Sequence, residues 1–303
     1  MSTILIGGGT GFIGKHLSRK LTADGHEVRI FSRSARPGAK YPTFVWDVAE
    51  QTIDYAAFEG VDYVINLAGA GIVGARWTEA RKQLIISSRT DSTLLLATTM
   101  ARLGVKPKLY LSASAIGYYG NRDNELMTET TDPGTGFLSK SCILWEDSVA
   151  EVDRLGIPTF IVRTGIVLHP DEGALQKMLI PLNFRVSTYF ADGSQYYSWI
   201  HVDDMVDIYR YAIEANLTGV YNGTAPNPVT NKALAAAIGP AMGKSALLLP
   251  APAFAMKLAM GEMSHTVLDS ARCSAEKLLG TGFRFSHPEI DGALRDLLGH
   301  SGA

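Results

Sequence analysis

The chain has 303 residues, 46% of them hydrophobic, and its 28 Lys+Arg against 30 Asp+Glu leave a formal net charge of −2. That length buries a large core, as one elaborated α/β domain or two closely joined ones. A charge so near zero makes no field to recruit nucleic acid or an anionic membrane, so the expected partner is a small molecule; a monomer or homodimer is expected. Cys142 and Cys273 stand far apart without metal-ligand spacing, so they read as buried apolar residues in a reducing compartment, and no metal site is expected. The first residues read as a strand rather than a targeting leader. The apolar stretch from Ala246 to Met260 is too short, and too broken by Pro250, Pro252 and Lys257, to span a bilayer, and reads as a buried loop and helix. A cytoplasmic protein is the expectation.

In chain order, Ile4, Leu5 and Ile6 form a short apolar strand that runs into GGGTGFIG, with Gly8, Gly11 and Gly14 at GxxGxxG spacing. Residues without a Cβ let backbone N–H groups approach a pyrophosphate, and the helix opening near Gly11 aims its positive end at the same anion. Strand before and helix after is the context that makes this spacing a dinucleotide-site candidate. A helix from His16 to Asp24 stops at Gly25, and Glu27–Phe31 is the next strand, with Phe44–Trp46 a third. Asp62–Leu67 is a strand, Thr78–Leu103 a long helix closed by Gly104, and Leu109–Ser112 another strand. Trp145–Leu155 is helical and Thr159–Val162 returns to the sheet. This alternation predicts a doubly wound parallel sheet, Rossmann-like, over residues 1–168. Ser198–Val202 and Gly219–Asn222 read as later returns to that core, while 169–197 and 223–303 form a smaller, helix-rich C-terminal substrate lobe.

The end of the second strand bears on the cofactor. An acidic residue there accepts from ribose hydroxyls, whereas arginine accommodates a 2′-phosphate. The chain has Ser32 and Arg33 and no carboxylate, which favours NADP, with Arg36 able to share the role.

The runs GGGTGFIG, FSRS, INLAGAGI, RWTEARKQLIISSR, SASAIGYYG, FLSKSCILWE and YSWIHVDDM together resemble the NAD-dependent-epimerase-like, extended short-chain dehydrogenase/reductase superfamily. GEMSHTVLDSARC and GFRF are similar to a small C-terminal domain found in one "epimerase family" subgroup, so the resemblance covers nearly the whole chain. It implies a Rossmann domain binding NADP, with Gly8, Thr10, Gly11, Phe12 and Ile13 around the pyrophosphate and Ser32 and Arg33 at the adenosine phosphate. Leu67 and Ala68 would flank the adenine side, Arg89 would reach the cofactor, and Val167 would touch the nicotinamide. A solvated Arg33 and an ion-paired Arg89 are the alternatives.

Members of that superfamily pair a substrate-orienting Ser or Thr with a Tyr and Lys in YxxxK, where nearby positive charge lowers the phenol pKa. Ser114 matches the serine and Lys140 the lysine, but Gly136 stands where the tyrosine belongs and Phe137 is the nearest aromatic. Neither residue carries an ionisable proton. Tyr118 or Tyr119 in the GYYG loop could replace it, or pack with its hydroxyl bonded. His201 reads as a satisfied buried histidine, Asp203 and Asp204 as a helix N-cap, and Arg163 as a pocket or ion-pair residue. Two functions follow: an NADP-dependent oxidoreductase or epimerase-like enzyme acting on a carbonyl or sugar-like compound through Ser114, Tyr118 and Lys140, or a non-catalytic NADPH-binding regulator.

Overall fold

The computed structural model describes residues 1–36 and 38–299. The central sheet has eight strands: β1 (Thr3–Gly7), β2 (Glu27–Ser32), β3 (Thr43–Asp47), β4 (Thr52–Ile53), β5 (Tyr63–Asn66), β6 (Leu109–Ala115), β7 (Thr159–Thr164) and β8 (Gly219–Gly223). They lie side by side as β8, β7, β6, β5, β1, β2, β3, β4, and every neighbouring pair is parallel except β3 with β4. Chain order therefore reverses between β1 and β5. In a doubly wound sheet that reversal opens a crevice beyond the carboxyl ends of the strands, where ligands bind.

Helices cover both faces, and the alternation within β1 shows why its residues are all apolar. Ile4 and Ile6 pack with Leu17 and Leu21 of α1 (Phe12–Ala23). Leu5 points the other way, onto Leu95, Leu96 and Met100 of α2 (Glu79–Leu103) and Val149 and Val152 of α3 (Phe137–Asp153). The Thr78 side chain caps α2 by accepting from Arg81 N–H at 3.2 Å, and Gly104 ends it at φ 66°. Helix α3 starts at Phe137, well before the expected Trp145.

The later chain departs from the sequence reading in two places. Trp199–His201 returns to the core but pairs in parallel with Ile166–His169 rather than joining the central sheet. The stretch 246–260 is not buried. Leu247–Ala251 is a strand paired in parallel with Val186–Phe190, and the following helix, Ala253–Met260, buries no residue, leaving Phe254 75% and Leu258 78% exposed. Apolar composition alone predicted burial there, but the small elements around it offer no second layer to cover it. Among the described residues no helix is long and apolar enough to cross a membrane.

The C-terminal elements are stitched by polar groups to the sheet and to the helix Val202–Glu214. Asn222 Nδ2 of β8 donates to Ser274 O at 3.0 Å, and Tyr211 OH donates to Thr281 O at 2.6 Å. The carboxylate of buried Asp204 accepts from the N–H groups of Ser286 at 2.7 Å and His287 at 3.0 Å.

Candidate functional site

At the β1–β5 reversal the glycine turn leaves no room for side chains. Gly8 adopts φ +78°, and a Cβ there would fall 2.7 Å from the Leu67 carbonyl carbon. A Cβ on Gly14 would fall 2.3 Å from Gly8 O, so α1 packs directly on the turn. Gly11 caps α1 without a side-chain acceptor, and no acidic residue occupies the first turn. Its leading N–H groups are thus left for an anion. A cavity of about 530 Å³ begins here, lined by Gly8, Gly11, Phe12, Ile13, Leu67, Arg89 and Ser114 among the expected residues.

Arg89 is the electrostatic centre of this cavity. It is only 8% exposed, its Nη1 donates to Ile85 O at 2.7 Å, and its guanidinium lies 5.0 Å from the Trp145 ring. It makes no ion pair among the described residues, so the expected ion-paired alternative is not realised. Burial pushes its pKa down. A buried cation without a counter-charge is costly, and an anion entering the cavity would relieve that cost. This donor set fits a dinucleotide pyrophosphate.

The other expected cofactor residues lie outside the cavity lining. Ser32 is buried at the end of β2, and Arg33 and Thr10 are exposed. The Ala68 N–H donates to Asn66 Oδ1 at 3.1 Å. Val167 turns into the apolar core, while its neighbour Ile166 lines the cavity together with Thr164. The strand alternation thus turns Ile166 toward the cavity and Val167 away from it.

Ser114 does reach the cavity, yet its proton is already committed. Its hydroxyl donates to Glu146 Oε1 at 2.7 Å, and Arg163 grips the same carboxylate from Nε and Nη2, each at 2.8 Å. Arg163 is 3% exposed, its pKa is raised by Glu146 against the opposing effect of burial, and its Nη1 donates to the Tyr119 hydroxyl at 2.9 Å. Tyr119 in turn donates to Asn222 Oδ1 at 2.7 Å, and burial drives its pKa upward. Toward the cavity, Ser114 therefore offers lone pairs rather than a proton.

The expected Ser114, Tyr118 and Lys140 constellation is not assembled. Tyr118 lays its ring on the Arg163 guanidinium, 3.4 Å from centroid to Cζ, and does not line the cavity. Lys140 is exposed, whereas α3 presents Leu138, Ser141, Cys142 and Trp145 to the cavity. The pair at i, i+4 on the inward face is Leu138 with Cys142, neither a phenol nor an ammonium, and burial pushes the Cys142 thiol up to about 12. The inward face was readable from the apolar stripe Leu138, Cys142, Trp145. Residues that sequence reasoning missed are Glu146 and, on the C-terminal side of the cavity, His265 and Asp269, whose Nδ1 and Oδ1 stand 2.9 Å apart.

His201, not Asp203 or Asp204, caps the helix Val202–Glu214, its Nδ1 accepting from Asp203 N–H at 3.1 Å. Burial lowers its pKa to about 4. His201 and His287 stack at 3.8 Å with Asp296 beside them. A metal does not fit: Nδ1 already accepts a hydrogen bond from Asp203 N–H, so in the neutral ring Nε2 carries the hydrogen rather than a free lone pair.

A profile of the NAD dependent epimerase/dehydratase family matches residues 4–223, and a domain of unknown function (DUF1731) matches residues 251–297. The chain is 38% identical over 298 residues to the epimerase family protein YfhF of Bacillus subtilis, covering 97% of each. It is 32% identical over 303 residues to human epimerase family protein SDR39U1, covering 97% of this chain and 99% of that one. A crystal structure of human SDR39U1 (isoform 2) with NADPH superimposes with a TM-score of 0.88 at 31% identity, over 98% of this chain and 99% of the other. Matched in sequence over nearly its whole length and in three dimensions as well, the chain belongs to the NAD dependent epimerase/dehydratase family.

Proposed function

We propose that this chain binds NADPH in the crevice between β1 and β5 and works as an oxidoreductase or epimerase of the short-chain dehydrogenase/reductase type. The observation that carries the reading is Arg89, a buried cation without a carboxylate partner among the described residues, on the wall of a cavity whose floor is a side-chain-free glycine turn. Gly8, Gly11, Phe12 and Ile13 would hold the pyrophosphate, and Ser32 with Arg33 the 2′-phosphate. The NADPH in the human relative's crystal structure supports the same cofactor. When bound, the nicotinamide supplies or accepts a hydride. Ile116, Leu138 and Trp145 line the cavity and exclude water, favouring a carbonyl substrate with an apolar face. Ser114 offers its lone pairs to an N–H or O–H donor of the cofactor or substrate.

A second reading, a non-catalytic NADPH-binding regulator, is favoured by the absent phenol and the outward Lys140. Both readings require the cofactor. Calorimetric titration with NADPH and NADH, on wild type and Arg33→Ala, tests it. NADPH is expected to bind more tightly, and the variant to lose tenfold or more, since a charged hydrogen bond is worth about 1.5–3 kcal/mol and about 1.4 kcal/mol is tenfold. Binding of neither nucleotide overturns both readings.

A further inference from the structure

Resting on the NADPH reading, the cavity still needs a proton donor, because a carbonyl oxygen must gain one proton when its carbon gains hydride. Most of the cavity's protic groups are unsuited. Ser114 gives its proton to Glu146, and the Cys142 thiol is held up at about 12. Tyr197 donates to Val267 O at 2.8 Å, and Arg89 keeps its protons. The Tyr196 hydroxyl has no hydrogen-bond partner to activate it among the described residues.

His265 and Asp269 differ. A carboxylate only accepts, so the 2.9 Å contact places the ring hydrogen on Nδ1 and leaves Nε2 as the exchanging nitrogen. The pair also lines two further cavities, of about 660 and 480 Å³, and the His265 side chain is 58% exposed. It stands where the apolar cleft meets water.

We propose that His265, oriented by Asp269, is the general acid and base of this cleft. In reduction, the imidazolium Nε2–H proton passes to the substrate oxygen while the electron pair from NADPH forms the new C–H bond. The C=O π bond becomes C–O–H, the cofactor ends as NADP⁺, and the neutral imidazole regains a proton from water. Oxidation runs the same transfers backwards. The other charged groups on the three cavities are Arg89, Asp123, Asp192, Lys257, Arg122 and Glu262, the last paired with Lys82.

The test combines ¹³C-histidine NMR with turnover of 4-nitrobenzaldehyde by the NADPH-saturated protein. The His265 Cε1 signal is assigned by its loss in His265→Gln. NADPH is expected to move that signal, and Asp269→Asn to move it as well by removing the acceptor of the ring Nδ1–H. His265→Gln should retain NADPH binding but lose roughly a hundredfold in kcat/KM, the lower end of general acid–base effects. The proposal is overturned if NADPH binds without moving the His265 signal, if the variant turns over like wild type, or if saturated wild type leaves the aldehyde untouched. Failure to bind NADPH instead overturns the cofactor reading beneath it.

Discussion

A single methyl group separates a working glycine turn from a broken one. In Gly14→Ala the new carbon would meet Gly8 O at 2.3 Å and Gly9 Cα at 2.7 Å, backbone atoms that yield only if α1 lifts from the turn. The expected cost is about 1–3 kcal/mol, read as a lower urea midpoint, with at least tenfold weaker NADPH binding. Glu146→Leu leaves Arg163 buried without its carboxylate and should cost about 3–5 kcal/mol in the same assay. His201 gives the fold a pH dependence of definite sign. Its folded pKa of about 4 lies below the unfolded value near 6.5, so above that value neither state binds the proton and stability is whole. As pH falls from 6.5 toward 4 the unfolded chain is protonated first, and on the order of 3 kcal/mol is lost. His201→Asn keeps a cap acceptor and should flatten the thermal-midpoint curve across that window. The glycine turn was legible because its chemistry is local in sequence. The bond from Ser114 to Glu146 was not, since β6 and α3 bring together residues 32 positions apart. The His265–Asp269 pair, four residues apart, could have been read from spacing alone.

Among the elements, most of those of the central sheet announced themselves through alternation and Gly stops, while the two-residue β4 was too short to do so. The weak readings fell where elements are short or only partly covered. Val186–Phe190 and Leu247–Ala251 pair only with each other, so no two-sided burial wrote an apolar run into Val186–Phe190. The helix after them is apolar without being core. Its Phe254 and Leu258 touch solvent, so replacing both with serine is expected to move unfolding free energy by no more than about 0.5 kcal/mol per site. A larger loss on urea denaturation would show that the helix is packed. Thr78→Ala, by contrast, removes a cap from a 25-residue helix on which Arg89 sits, and should cost about 1 kcal/mol.

Across the whole molecule, the two matched regions, 4–223 and 251–297, share hydrogen bonds that neither can replace. Asn222 and Asp204 are buried, and their partners lie at Ser274, Ser286 and His287. Each group left unmatched costs about 1–3 kcal/mol, so calorimetry should show one unfolding transition, and a chain ending at residue 250 should not fold. Two separated transitions would contradict this. Arg89 adds a consequence for the protein outside the test tube. A fold that shelters an unanswered positive charge is least comfortable when empty, and an anion that answers it at a hundred times its dissociation constant adds about 2.7 kcal/mol to the folded state. The survival of the chain then becomes a gauge of how much of that anion surrounds it, and unloaded copies are the first to open to proteolysis.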